Sequence, residues 1–192
     1  QGQEESVMAK KHFQIGQQAC EKLAERFGTP LLVLSLDEIK KNYKVLKKYL
    51  PRIKVHYAIK ANPHPEILRV MADMGSCFDV ASDGEIRTLY DLGVEGGRMI
   101  YANPVKTGAG LAACRSCHVS KMTFDSVSEI DKIKAQCPEA TLLLRLRIDN
   151  SSAHVDLNKK FGAARENALA LMLKAKEAGL DMAGIAFHVG SQ

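Results

Sequence analysis

Residues 55–81 read VHYAIKANPHPEILRVMADMGSCFDVA. An apolar run, Val55–Ile59, is followed by a helical pattern over Pro65–Met74, then Gly75, then a second apolar run, Cys77–Ala81. The glycine stands where a left-handed helix C-cap falls. Strand, helix and strand over so short a span mean parallel strands joined by a right-handed crossover.

The same pattern continues outward from this unit. Further apolar runs lie at Met99–Ala102, Met122–Phe124, Leu142–Ile148 and Ile185–Val189, so successive starts are 22, 22, 23, 20 and 43 residues apart. Helical patterns over Asp83–Leu92 and Glu166–Ala178 sit between runs and close on Gly93 and Gly179. A period this close to the minimum for a βα unit predicts an α/β fold of near-equal units, the (β/α)8 TIM-type barrel. A doubly wound open sheet is the alternative, but no G-x-G-x-x-G follows any run. Six runs where a closed barrel has eight strands predict a truncated or partial barrel. Leu31–Ser35 reads as a leading strand. The expected division is therefore residues 1–36, an N-terminal helix and leading strand, and 37–192, the incomplete barrel. The chain begins at Gln1 rather than Met, and Gln1–Glu5 reads as an added or internal start.

Composition narrows the classes. In 192 residues, 46% hydrophobic and 26% charged, there is enough apolar content for a core, which argues against disorder and against a small disulfide scaffold. Uncharged stretches such as Leu31–Leu36 and Ala183–Gln192 are far shorter than the roughly 20 residues of a membrane-spanning helix. The net charge of +5 is scattered. Its densest group, Lys40, Lys41, Lys44, Lys47 and Lys48, alternates with Ile39, Tyr43, Leu46 and Leu50 at helical spacing. It reads as the solvated face of an amphipathic helix, not a nucleic-acid patch. Five irregularly spaced cysteines with no secretory signal ahead of them point to a reducing cytoplasm. Cys114-Arg115-Ser116-Cys117-His118 has the C-x-x-C-H spacing of haem attachment, but it lies in a helical stretch and has no partner pair for a metal. We read it as chance and expect no metal.

Polar residues recur where the runs end: Lys60, Ser82, Asn103, Asp125, Asp149 and His188. On a barrel these ends converge on the active-site face. For Asp125 and Asp149 the plain reading, a polar residue where a strand stops, is preferred. Lys60 closes an apolar run, where partial desolvation favours the free amine that a Schiff-base lysine requires. The plain alternative is a lysine that snorkels to solvent.

The segment Val55–Pro63 resembles the YAxKAN strand of the fold-type III pyridoxal-phosphate decarboxylases, the ornithine, lysine, arginine and diaminopimelate decarboxylase group. Four more segments match in the same order: Phe78–Ser82, Tyr101–Pro104, Lys160–Ala163 and His188–Gln192. The resemblance runs from about Phe27 to the last residue. It implies a barrel of the alanine racemase/ornithine decarboxylase type, here without the family's C-terminal β-domain, and pyridoxal 5'-phosphate as cofactor. It further implies that Lys60 holds the cofactor as a Schiff base, that His188 stacks on its ring, and that Ser191 and the Gly190 backbone meet its phosphate. Asp79 corresponds to an aspartate of the polar network beside the cofactor. Arg145 corresponds to an arginine of the fifth strand that pairs with Asp79 or otherwise sets the charge balance. Glu85 corresponds to an active-site glutamate, while Ser82-Asp83-Gly84-Glu85 also reads as a capping box; both readings stand. Lys160-Phe161-Gly162 resembles a segment near the family's dimer interface and active-site mouth, or is simply a loop lysine before a glycine turn; both readings stand.

The expected function is decarboxylation of a small-molecule basic amino acid, lysine and/or ornithine, to cadaverine or putrescine in polyamine biosynthesis. Tyr101–Lys106 and the Asp149-Asn150-Ser151-Ser152 loop carry that tilt. A homodimer with shared active sites is expected in the full-length protein, and an isolated 192-residue chain is expected to be inactive. The alternatives are a diaminopimelate decarboxylase of lysine biosynthesis and a catalytically inactive decarboxylase-like binding regulator.

Overall fold

A computed structural model describes residues 14–149 and 160–190. The chain divides into two compact units, residues 1–51 and 52–192.

In the first unit, α1 spans Gln17–Phe27 and α2 spans Leu36–Tyr49. Ser35 caps α2 by accepting from the Glu38 N–H at 3.3 Å, and Asp37 and Glu38 sit in the first turn, where the helix dipole favours them. Lys40 and Lys41 pair with Asp37 and Glu38 one turn earlier, at 3.6 and 3.2 Å, on the exposed face. The leading strand expected over Leu31–Ser35 does not form: the segment is irregular and takes part in none of the described ladders. Its apolar pattern alone does not make a strand.

The second unit is the barrel wall. Its strands are β1 (His56–Ala58), β2 (Cys77–Val80), β3 (Met99–Tyr101), β4 (Lys121–Phe124), β5 (Thr141–Leu146) and β6 (Asp181–Phe187). All neighbours are parallel, and the spatial order is the chain order. A doubly wound sheet must reverse its order at a switch point. This one never does, which is the winding of a (β/α)8 barrel. The crossovers carry α3 (Pro65–Asp73), α4 (Asp83–Asp91), α5 (Gly108–Ser116), α6 (Val127–Gln136) and α7 (Ala168–Glu177).

Period-2 alternation sorts the side chains. Phe78, Val80, Met99, Tyr101, Met122, Phe124, Leu142 and Leu144 point to the helices, and none is more than 2% exposed. The alternate residues, among them Asp79, Ile100, Leu143 and Arg145, lie on the other face and are half-buried, while Thr123 on that face is buried.

Helix ends follow one device. At Gly75, Gly93 and Gly179 (φ 81°, 81° and 75°) the chain turns left-handed. The next residue's N–H then reaches back to close the helix: Ser76 to Met71 O, Val94 to Leu89 O, and Leu180 to Ala175 O, each 3.0 Å. Helix α5 closes identically without glycine. His118 has φ 57°, and Val119 N–H donates to Cys114 O at 2.8 Å. The C-x-x-C-H spacing is thus the end of a helix. Cys114 and Cys117 are buried in it, and burial pushes the Cys114 thiol up to about 12, far from a reactive thiolate. All five cysteines are free thiols.

Candidate active site

The β1 chain makes its turn early. The strand stops at Ala58, and Ile59–Ala61 form a 3₁₀ turn that carries Lys60 out at the C-terminal end of the sheet. The Tyr57 hydroxyl donates to Asn62 O at 3.1 Å, and Asn62 Oδ1 accepts from the His64 N–H at 3.1 Å, which fixes the bend. Ile59 is fully buried while Lys60 is exposed. Lys60 stands at the strand end, as expected, but the partial desolvation expected there is corrected: the turn lifts it to the mouth of the cavity, where it is exposed.

That cavity, about 260 Å³, is lined by Lys60, Asp79, Arg145 and His188, four of the seven residues that sequence reasoning nominated. They come from the ends of β1, β2, β5 and β6. Small side chains at equivalent strand ends, Ala81, Ala102 and Ala186, leave the room between them.

Asp79 lies between competing influences. Partial burial raises its pKa above the ordinary carboxylate value, and the nearby Glu85 charge adds to this. The Lys60 ammonium and the Arg145 guanidinium act the other way. The Arg145 guanidinium lies 5.2 Å from the centre of the Phe161 ring. Burial lowers its pKa, opposed by the charges of Asp125 and Asp79. His188 Nδ1 accepts the Gly190 N–H at 2.8 Å, so its neutral tautomer carries the proton on Nε2. Desolvation, with the charges of Arg145 and Lys60, lowers the His188 pKa below 6.5, favouring that neutral form.

Glu85 is not among the lining residues. Its Oε2 accepts the Ala81 N–H at 2.7 Å while its own N–H donates to Ser82 Oγ at 3.2 Å, the reciprocal capping arrangement read from Ser82–Glu85, with the chain N–H one residue earlier. It acts on the cavity through the Ala81 backbone and through its charge on Asp79. Gly190 (φ 88°) follows the cavity wall; Ser191 and the 150–152 loop lie outside the described residues.

Asn103, one of the polar strand-end residues, lines the cavity, and Phe161 of the Lys160–Gly162 loop covers Arg145. Thr123, which also lines it, went unassigned in the sequence, though it was legible in principle as the residue of β4 between the buried Met122 and Phe124. Asp125 itself has a structural task, as expected: Oδ2 accepts the Gly162 N–H at 2.8 Å and so anchors the Lys160-Phe161-Gly162 loop. The loop's Ala163 also bridges to β5 at Leu146.

A sequentially wound parallel barrel wall with a primary amine, an imidazole, a carboxylate and a guanidinium on one strand-end cavity defines an α/β-barrel site of the lysine-centred, carbonyl-binding class. The chain belongs to the pyridoxal-dependent decarboxylases: the family model for their pyridoxal-binding domain matches residues 36–192. It is 51% identical over 182 residues to a lysine/ornithine decarboxylase of Selenomonas ruminantium, covering 95% of this chain and 46% of that protein. It is 42% identical over 159 residues to the ornithine decarboxylase of Saccharomyces cerevisiae, covering 83% of this chain and 34% of that one. A crystal structure of the Selenomonas ruminantium lysine decarboxylase superposes with a TM-score of 0.89 at 51% identity, covering 94% of this chain and 47% of that one. The chain thus spans about half the length of the relatives it matches. These relatives do not favour the diaminopimelate or regulator alternatives.

The residues present fit pyridoxal 5'-phosphate. Lys60 offers the one primary amine among the lining residues, the size suits a single substituted ring, and the neutral His188 offers a flat face beside it.

Proposed function

We propose that this chain is the cofactor-binding barrel portion of a decarboxylase acting on lysine and/or ornithine, yielding cadaverine and/or putrescine for polyamine biosynthesis. The observation that carries it is the meeting of Lys60, Asp79, Arg145 and His188 on one cavity in a chain of this family. When bound, pyridoxal 5'-phosphate supplies the electron sink that loss of carbon dioxide requires.

The chain's own residues do the rest. Lys60 Nζ is the amine that would hold the cofactor, and its place at the cavity mouth would leave it accessible to an incoming amino acid. His188, neutral near pH 7, orients the ring by its face and keeps the proton on Nε2. Asp79 and Arg145 set the charge around Lys60, and Glu85 holds the Ala81 end of β2 so that Asp79 keeps its place. Phe161 excludes water from the Arg145 side. The Gly190 backbone and Ser191, the latter outside the described residues, would hold the phosphate. In the full-length protein we infer a homodimer with shared sites, with Lys160–Gly162 near the interface, and the amino acid as the small-molecule partner; relatives crystallised with cadaverine and with putrescine support the latter. The free thiols support a cytoplasmic location.

Pyridoxal 5'-phosphate added to the full-length protein should produce a visible absorbance band that disappears on borohydride reduction. Peptide mass mapping should then find the reduced adduct on Lys60. Product assays with lysine, ornithine and diaminopimelate side by side should give cadaverine or putrescine. A protein that stays colourless, or an adduct elsewhere, rejects the reading.

A further inference from the structure

The Tyr101–Lys106 segment carries a charge that the site described above does not use. The Lys106 side chain is fully buried. Its Nζ donates to Asn103 O at 3.1 Å, Pro104 O at 3.2 Å and Thr123 O at 2.5 Å, and it pairs with Glu129 Oε1 at 3.1 Å. It also lies 5.5 Å from the centre of the Tyr101 ring. Glu129, on α6, is buried too. Its Oε1 accepts the Lys106 backbone N–H at 3.1 Å and its Oε2 takes Lys132 at 2.7 Å, while Lys132 Nζ donates to Lys106 O at 2.5 Å. Every hydrogen-bonding capacity of the Lys106 ammonium is taken.

A buried ion pair is weak evidence for stability, because desolvation offsets most of the attraction. Burial indeed lowers the Lys106 pKa, against the pull of Glu129. The geometry suggests what the charge is for. Three carbonyls converge on one cation, and two of them belong to Asn103 and Thr123, residues of neighbouring strand ends that both line the cavity. Carbonyls do not gather by themselves; their dipoles repel.

We infer that Lys106 is a positioning residue: its buried ammonium clamps the β3–α5 turn to the end of β4 and so sets the Asn103–Thr123 wall of the cavity. A consequence for turnover rests on the function proposed above, whereas the clamp itself does not depend on that reading. Glu129 keeps the cation in place, and Lys132 satisfies the second carboxylate oxygen from the half-exposed side.

The test uses the full-length protein with two variants. Lys106→Met removes the cation and keeps the volume. Lys106→Met/Glu129→Leu removes both buried charges, a change that commonly restores stability. Hydrogen exchange on the cofactor-free protein should be about tenfold or more faster at residues 102–107 and 124–125 in both variants, with α3 unchanged. In the cofactor-loaded enzyme, kcat should fall about 10- to 100-fold with a smaller change in KM, as expected for a displaced wall. The double variant should regain its melting temperature but neither rim protection nor kcat. Wild-type rim protection in Lys106→Met overturns the inference. So does recovery of protection together with stability in the double variant, which would make the pair merely structural. If wild-type protein does no chemistry, the function fails while hydrogen exchange still decides the clamp.

Discussion

The two faces of the barrel wall are made by the same strands and share almost nothing else. On β2, Phe78 and Val80 are wholly buried against helices, while Asp79 between them lies half-buried beside the Lys60 charge. On β5, Leu142 and Leu144 repeat the buried pattern, and Arg145 turns to the cavity. One face is held together by close packing, where each lost methylene is felt. The other tolerates a carboxylate, a guanidinium and an imidazole because it borders an opening. The difference shows how a parallel strand of four to six residues can belong to a core and to a site at once: neighbouring residues are a single peptide apart yet meet different solvents.

That contrast can be tested by damaging each face in turn. The largest effect is expected from Lys60→Ala, which should abolish decarboxylation in the full-length enzyme. It should change stability by no more than about 0.5 kcal/mol, since the side chain is exposed; urea denaturation beside a product assay checks both. The converse is Phe124→Ala on the helix face, which should cost about 3–5 kcal/mol of stability. The surviving folded fraction should still attach pyridoxal 5'-phosphate. If instead the core variant lost attachment while folded, the two faces would not be separable.

Smaller effects refine the picture at the rim. At Gly162 (φ 99°) an added Cβ would lie 2.8 Å from Arg147 N, so Gly162→Ala should cost about 1–3 kcal/mol and displace Phe161 from Arg145; melting temperature and a crystal structure of the variant would show it. Ser82→Ala, which removes the cap of α4, should cost about 1 kcal/mol and leave the cavity residues in place.

The smallest effect is in pH. The folded pKa of His188 lies below 6.5, so its contribution to stability is present above 6.5 and fades as pH falls through the lowered folded value. An NMR titration should find its midpoint below 6.5, and Arg145→Met should move that midpoint back up.

Much of this was legible beforehand. The period of the apolar runs announced the parallel winding, and Gly75, Gly93 and Gly179 marked the helix ends where they occur. The nominated Lys60, Asp79, Arg145 and His188 came from different strands, and they do share a cavity. What escaped the sequence has specific causes. Leu31–Ser35 has the pattern of a strand, but a strand exists only with a neighbour. C-x-x-C-H, read from the sequence as a chance spacing in a helical stretch, closes α5 through the left-handed His118, a detail of backbone conformation that the spacing does not record.

The sequence by itself determined the winding of the strands, the helix ends and the identity of the amine at position 60, because these depend on periodicity, on backbone preference and on matching motifs along the chain. Only the tertiary structure decided that Lys60 is exposed on a 3₁₀ turn, that Asp125 holds Gly162, and that Lys106 is buried under three carbonyls. Those facts depend on residues far apart in the chain coming within a few ångströms of one another. Hydrogen bonds form only at that range and charge pairs are strongest there, and no local pattern records it.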